Sequence, residues 1–186
     1  MDELSLAEFD ALRETIRTRG TLRILLFWLT IAVWATLALL ILATAAVPAA
    51  ALFSLMALAA GFEAVHAIHV NVERIGRYLQ VCFEETRSRA GWETASMAFG
   101  QRFPAAGSDP LFSGVFLAAA ALNFVPVLLA GVQVELTTLG VVHALAMTRI
   151  ALARRAGQRL RAADLERFRT IAANPRTAAR PGQPED

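Results

Sequence analysis

Between Arg23 and Glu63 the chain runs for 39 residues, Ile24 to Phe62, without one charged side chain. At ~1.5 Å per helical residue, that run is about twice as long as a ~30 Å hydrocarbon layer requires. Inside lipid every backbone N–H and C=O must be satisfied within the chain, so a segment of this kind is restricted to helices or a closed barrel. Val47-Pro48 interrupts it near the middle, because proline lacks the N–H that a helix interior needs. The run therefore reads as a helical hairpin, with one span over 22–44 and a second over 49–70. A hydrophobic fraction of 56% and a mean hydropathy of +0.48 agree with a membrane protein. Ala43-Thr44-Ala45 resembles a signal-peptide cleavage site. However, the apolar run is longer than a signal core, and Asp2, Glu3, Glu8, Asp10 and Glu14 precede it, so it reads as an uncleaved anchor.

A second hairpin comes later in the chain, with spans over 111–132 and 136–153. Pro126, just after Asn123, is expected to kink the third span and free a carbonyl within it. The fold class this predicts is all-α: an integral membrane four-helix bundle of two transmembrane hairpins, with cytoplasmic or interfacial amphipathic helices attached. The first span is bulky, with Trp28 and Trp34 among leucines, as suits a lipid-facing helix. The second carries Ala57 and Gly61, and Ala60 and Ala64, at four-residue spacing. Such pairs let helix backbones approach closely, which marks it as the inner, packed helix.

The polar segments lie outside these spans. Residues 1–21 form an amphipathic helix that Ser5 and Glu8 open as a capping box and Gly20 is expected to end. Over 71–110 the helix becomes two-sided, with Val72, Ile75, Tyr78, Leu79, Cys82 and Phe83 on one side. Glu73, Arg77, Gln80 and Glu84 share the other, and are the residues predicted to face a partner. Gly91 is expected to break this helix. Trp92, Ala95, Ser96, Phe99 and Phe103 then suit a short helix at headgroup level, before a Pro- and Gly-rich loop over 104–110. A charged helix over 154–173 leads to a tail, 174–186, whose composition predicts disorder.

All 18 basic residues are Arg, and they place the topology. They fall in the N-terminal segment, the 71–110 connection and the C-terminal segment, and are missing from the turns near Val47 and Gly131. By the positive-inside rule both termini and the central connection are cytoplasmic, in a bacterial-type inner membrane.

Several residues could carry chemistry. Glu63 and His66 form a Glu-x-x-His pair on one helix face, a metal-ligating pattern in carboxylate-bridged bundles, but the second pair and the extra glutamates are missing. His66 and His143 lie at similar depth on two spans, with His69 one turn lower. That arrangement suits axial ligation of a b-type haem, and Ala60, Gly61, Ala64, Gly140 and Ala144 could supply the narrow cleft. Glu63 and Asn123 are polar groups within the apolar layer and could serve conduction. The structural alternative is that Glu63, His66 and His143 hydrogen-bond one another as interhelical contacts. The single Cys82 excludes an intramolecular disulfide, and no nucleophile elbow, phosphate loop or zinc motif occurs. No aromatic platform accompanies the arginines, so nucleic-acid binding is not indicated. The expected function is a non-enzymatic binding or assembly subunit in the bilayer, acting as a homo-oligomer or within a membrane complex. A haem-bearing redox carrier and a small transporter using Glu63 are the alternatives.

Overall fold

The computed structural model describes residues 3–44, 47–85, 91–102 and 109–174. Every element among them is helical: α1 (Glu3–Ala43), a 3-10 turn (Pro48–Ala50), α2 (Ala51–Leu79) continuing into a π turn (Gln80–Glu84), α3 (Trp92–Arg102), α4 (Asp109–Ala130) and α5 (Gln133–Ala173). Among the described residues four helices are long and apolar enough to cross a membrane, and each overlaps one predicted span.

Two boundaries differ from expectation. Gly20 does not end a helix; α1 runs through it for 41 residues, roughly 60 Å. A mid-helix Gly costs only about 1 kcal/mol, and neither a proline nor a left-handed residue comes next to stop the helix here. Likewise α5 continues without a break from the fourth span into the charged segment, again over 41 residues. The kind of glycine that does terminate a helix is Gly131, whose φ of 68° provides the left-handed residue between α4 and α5. Gly91 lies just ahead of α3. Phe103, most of the 104–110 loop and the tail beyond Asn174 lie outside the described residues.

Contacts divide the chain into two units. The first comprises Met1–Thr18, Val70–Gly107 and Gly157–Asp186; the second comprises Arg19–His69 and Ser108–Ala156.

In the second unit, Phe27 of α1, Leu55, Leu58, Phe62 and Val65 of α2, Phe116, Ala119 and Ala120 of α4, and Ile150 and Ala153 of α5 form one apolar cluster. Phe27, Phe62 and Phe116 meet edge to face, at centroid distances of 5.7 and 5.3 Å about Phe116. Gly61 lies against Thr30 so closely that a Cβ there would overlap the threonine side chain. Of the two small-residue pairs, Ala57 and Gly61 therefore pack inward, while Ala60 and Ala64 are exposed.

The first unit is built around charge. Phe9, Tyr78, Phe83 and Phe168 make an aromatic group with centroid separations of 5.6–6.0 Å. Beside it the Arg77 and Asp164 side chains, each 4% exposed, form an ion pair at 2.8 Å.

Candidate functional site

The polar centre of the second unit is Asn123, three residues before Pro126 inside α4 and 4% exposed. Its Nδ2 donates to Ala51 O (2.9 Å) and to His143 Nε2 (3.0 Å). Its Oδ1 accepts from Trp34 Nε1 (3.1 Å) and from the Ser54 hydroxyl (2.5 Å). All four hydrogen-bonding positions of the amide are thus used. Ala51 O, which can only accept, fixes which way the amide points. His143 Nδ1 lies 2.8 Å from Leu139 O, so Nδ1 carries the proton and Nε2 accepts from Asn123. Trp34, Ser54, Asn123 and His143 stand on α1, α2, α4 and α5, so one amide ties together side chains from four helices.

Two further contacts use the remaining candidates. Arg149 Nη2 donates to Glu63 Oε2 at 2.8 Å, and both side chains are 49% exposed. The Arg149 guanidinium also lies 5.9 Å from the centre of the Phe62 ring. Arg23 Nη1 lies 2.7 Å from His69 Nδ1 and sits over Phe112 at 4.9 Å. A guanidinium only donates, so His69 Nδ1 is the acceptor and its proton is on Nε2. His66 is half-buried and stacks on Phe62, with centroids 5.7 Å apart.

The candidates are therefore distributed rather than gathered. Glu63, His66 and His143 share no hydrogen bond with one another; Glu63 takes Arg149 and His143 takes Asn123. Axial haem ligation needs a ring nitrogen with an available lone pair from each of two histidines. His143 Nε2 and His69 Nδ1 are already acceptors and the other nitrogen of each ring carries a proton, so this arrangement does not fit a haem. For the Glu63–His66 metal pair, the carboxylate is engaged by Arg149. Among the described residues no group of three or more His, Cys, Asp or Glu comes together as a metal would require.

In the first unit the residues expected to face a partner are turned inward. Arg77, Gln80 and Glu84 are 3%, 8% and 6% exposed, and the Glu73 side chain is only 22% exposed. Arg77 bridges Glu73 and Asp164. Arg161 joins Glu73 at 2.7 Å, and Arg74 and Arg167 approach Asp164 at 3.4 and 3.5 Å. The polar stripe on α2 is the seam against the charged part of α5. Asp164, absent from the sequence-based candidates, is its centre. The only sign of it was an acid three residues from both Arg161 and Arg167, a pattern common on solvated helices.

Glu84 has a different task. The π turn, in which Glu85 N donates to Gln80 O at 2.9 Å, holds one residue more than an α turn and rotates the chain beyond it. The Glu84 carboxylate then accepts from Glu93 N (3.0 Å), Thr94 N (2.8 Å) and the Thr94 hydroxyl (2.8 Å). It caps the first turn of α3 from a distance, as an N-cap side chain does locally. Gly91 makes room for it, since a Cβ there would overlap the carboxylate. Glu93 lies beside this cap, and its pKa is raised by burial and by the Glu84 and Glu73 charges, against the lowering effect of Arg13 at 3.7 Å.

Comparison with protein-family models, curated proteins and solved structures gives no match to this chain.

Proposed function

We propose that this chain is a polytopic inner-membrane protein, its four apolar helices bundled across the bilayer with both termini and the 71–110 connection cytoplasmic. It serves as a non-enzymatic assembly subunit. The observation that carries this reading is the Glu63–Arg149 pair, half exposed within the stretches of α2 and α5 that are apolar enough to cross a membrane. An ion pair facing lipid is costly, and ionisable groups held at such positions mark contacts with something other than lipid. The burial of Arg77, Gln80 and Glu84, and the largely covered Glu73 beside them, move the expected contact from the cytoplasmic helices to this pair.

The orientation is tested by accessibility labelling of single cysteines placed at residues 10, 100 and 170. Reaction from the cytoplasmic side only is the expected result; labelling from the outside refutes the topology. For the function, the full chain is purified in mild detergent and its mass measured under native conditions. A complex larger than one chain is expected, and a strictly monomeric, partner-free protein refutes the assembly reading.

A further inference from the structure

The helices of the second unit present two kinds of outer surface. On α1 the exposed residues are bulky: Leu22, Leu25, Trp28, Leu29, Leu39 and Leu40 are 43–66% exposed. On α2 the exposed side opens with the bulky Phe53 and Met56, 68% and 66% exposed, and its next four exposed residues are Ala60, Glu63, Ala64 and Ala67. At 100° per residue these four share one side of the helix. Long aliphatic and aromatic side chains interdigitate with acyl chains. A face of alanines leaves the helix backbone within reach of another helix. Beside this face, α2 and α5 enclose a shallow apolar groove with Ala59 and Ala146 on its walls and Glu63 and Arg149 among the residues lining it.

We propose that this α2 face, with Arg149, seats a second copy of the same chain. The inference rests on the assembly reading above and names the partner. Charge selects the occupant. The Glu63–Arg149 contact uses one carboxylate oxygen and one guanidinium nitrogen, and both side chains stay half exposed. A patch holding one acid and one base is complementary to itself under a two-fold rotation: Glu63 of each copy meets Arg149 of the other, and the reverse. A two-fold axis normal to the membrane keeps the topology of both copies identical. Closing the interface takes four charges out of lipid contact and lets the alanine faces approach.

Single cysteines at Ala60, Ala64 and Ala67, introduced into the full chain with Cys82→Ser, leave the ion pair intact and are oxidised in native membranes. Covalent dimer is expected at all three, at least tenfold above cysteines at Leu25 and Leu40 on the outer side of α1. Equal yields at both sets, or none on α2, overturn the proposal. Glu63→Arg and Arg149→Glu alone are expected to weaken dimerisation at least tenfold, with recovery in the double exchange Glu63→Arg/Arg149→Glu. Failure of the double variant to recover, while unchanged Trp fluorescence shows it folded, also overturns it. The native mass separates the two levels of the reading. A monomer holding a different protein overturns self-association but leaves the assembly function standing. A monomer with stoichiometric phospholipid overturns self-association in favour of a lipid seat. A bare monomer overturns both.

Discussion

At the scale of single residues, Asn123 shows how much one polar group can specify inside an apolar core. Its four hydrogen bonds reach side chains of α1, α2 and α5 and the Ala51 carbonyl. Asn123→Leu leaves the Trp34 N–H, Ala51 O and His143 Nε2 without this partner. Single interhelical hydrogen bonds in membranes contribute ~0.6–2 kcal/mol, so the loss of the set is expected to cost about 2–4 kcal/mol. Reversible unfolding in mixed micelles measures it, and Trp34→Phe, which removes one bond, is expected to cost about 1 kcal/mol. Glu93 gives the pH counterpart. Its folded pKa lies above the ordinary 4.5, so the folded state holds its proton more tightly than the unfolded one. Its contribution is therefore most favourable below pH 4.5 and is lost as pH rises through the folded value. Glu93→Gln is expected to be more stable than the parent at pH 7, with the advantage vanishing below pH 4.5 in paired denaturation curves. In the sequence Asn123 was visible as a polar residue within a span. Its partners were not, because nothing local states which helices will face it.

At the scale of elements, the amphipathic pattern of α2 beyond Asn71 was legible, but the environment of each side was not. Hydrophobic periodicity assumes that the polar side meets water. Here it meets Asp164 and Arg161 of α5, and Arg77 is buried as deeply as the leucines beside it. The π turn adds a further departure, since a 100° step places Glu84 with Arg77 and Gln80, whereas the extra residue directs it to α3. Glu84→Ala removes three acceptor contacts from the first turn of α3. Losing a cap costs about 1–2 kcal/mol, so amide hydrogen exchange over 92–102 is expected to accelerate roughly tenfold. Exchange unchanged in α3 would show that the cap does not hold this helix.

At the scale of the whole molecule the two units depend on different physics. The second is an apolar cluster with one neutral polar centre; the first is held by a buried ionic network beside an aromatic group. Removing one partner of a buried ion pair costs about 3–5 kcal/mol, because the other charge is left uncompensated. Asp164→Ala is therefore expected to speed exchange in the described parts of the first unit by at least a hundredfold. Residues 19–44, 47–69 and 109–156 are expected to change by less than tenfold, and an equal loss in both would show that they unfold as one. The sequence by itself determined that the chain is helical and that four helices can cross a membrane, because an uncharged run leaves the backbone few ways to satisfy itself. It also located the turns at Pro48 and Gly131, since proline and left-handed glycine act through local geometry. Only the tertiary structure decided that Asn123 joins His143, that Glu63 takes Arg149, that Ala60 and Ala64 face outward, and that Arg77, Gln80 and Glu84 are interior with Glu73 paired beside them. Each of these depends on which helix lies beside which, and on a rotation of one residue's worth of arc that periodicity does not carry.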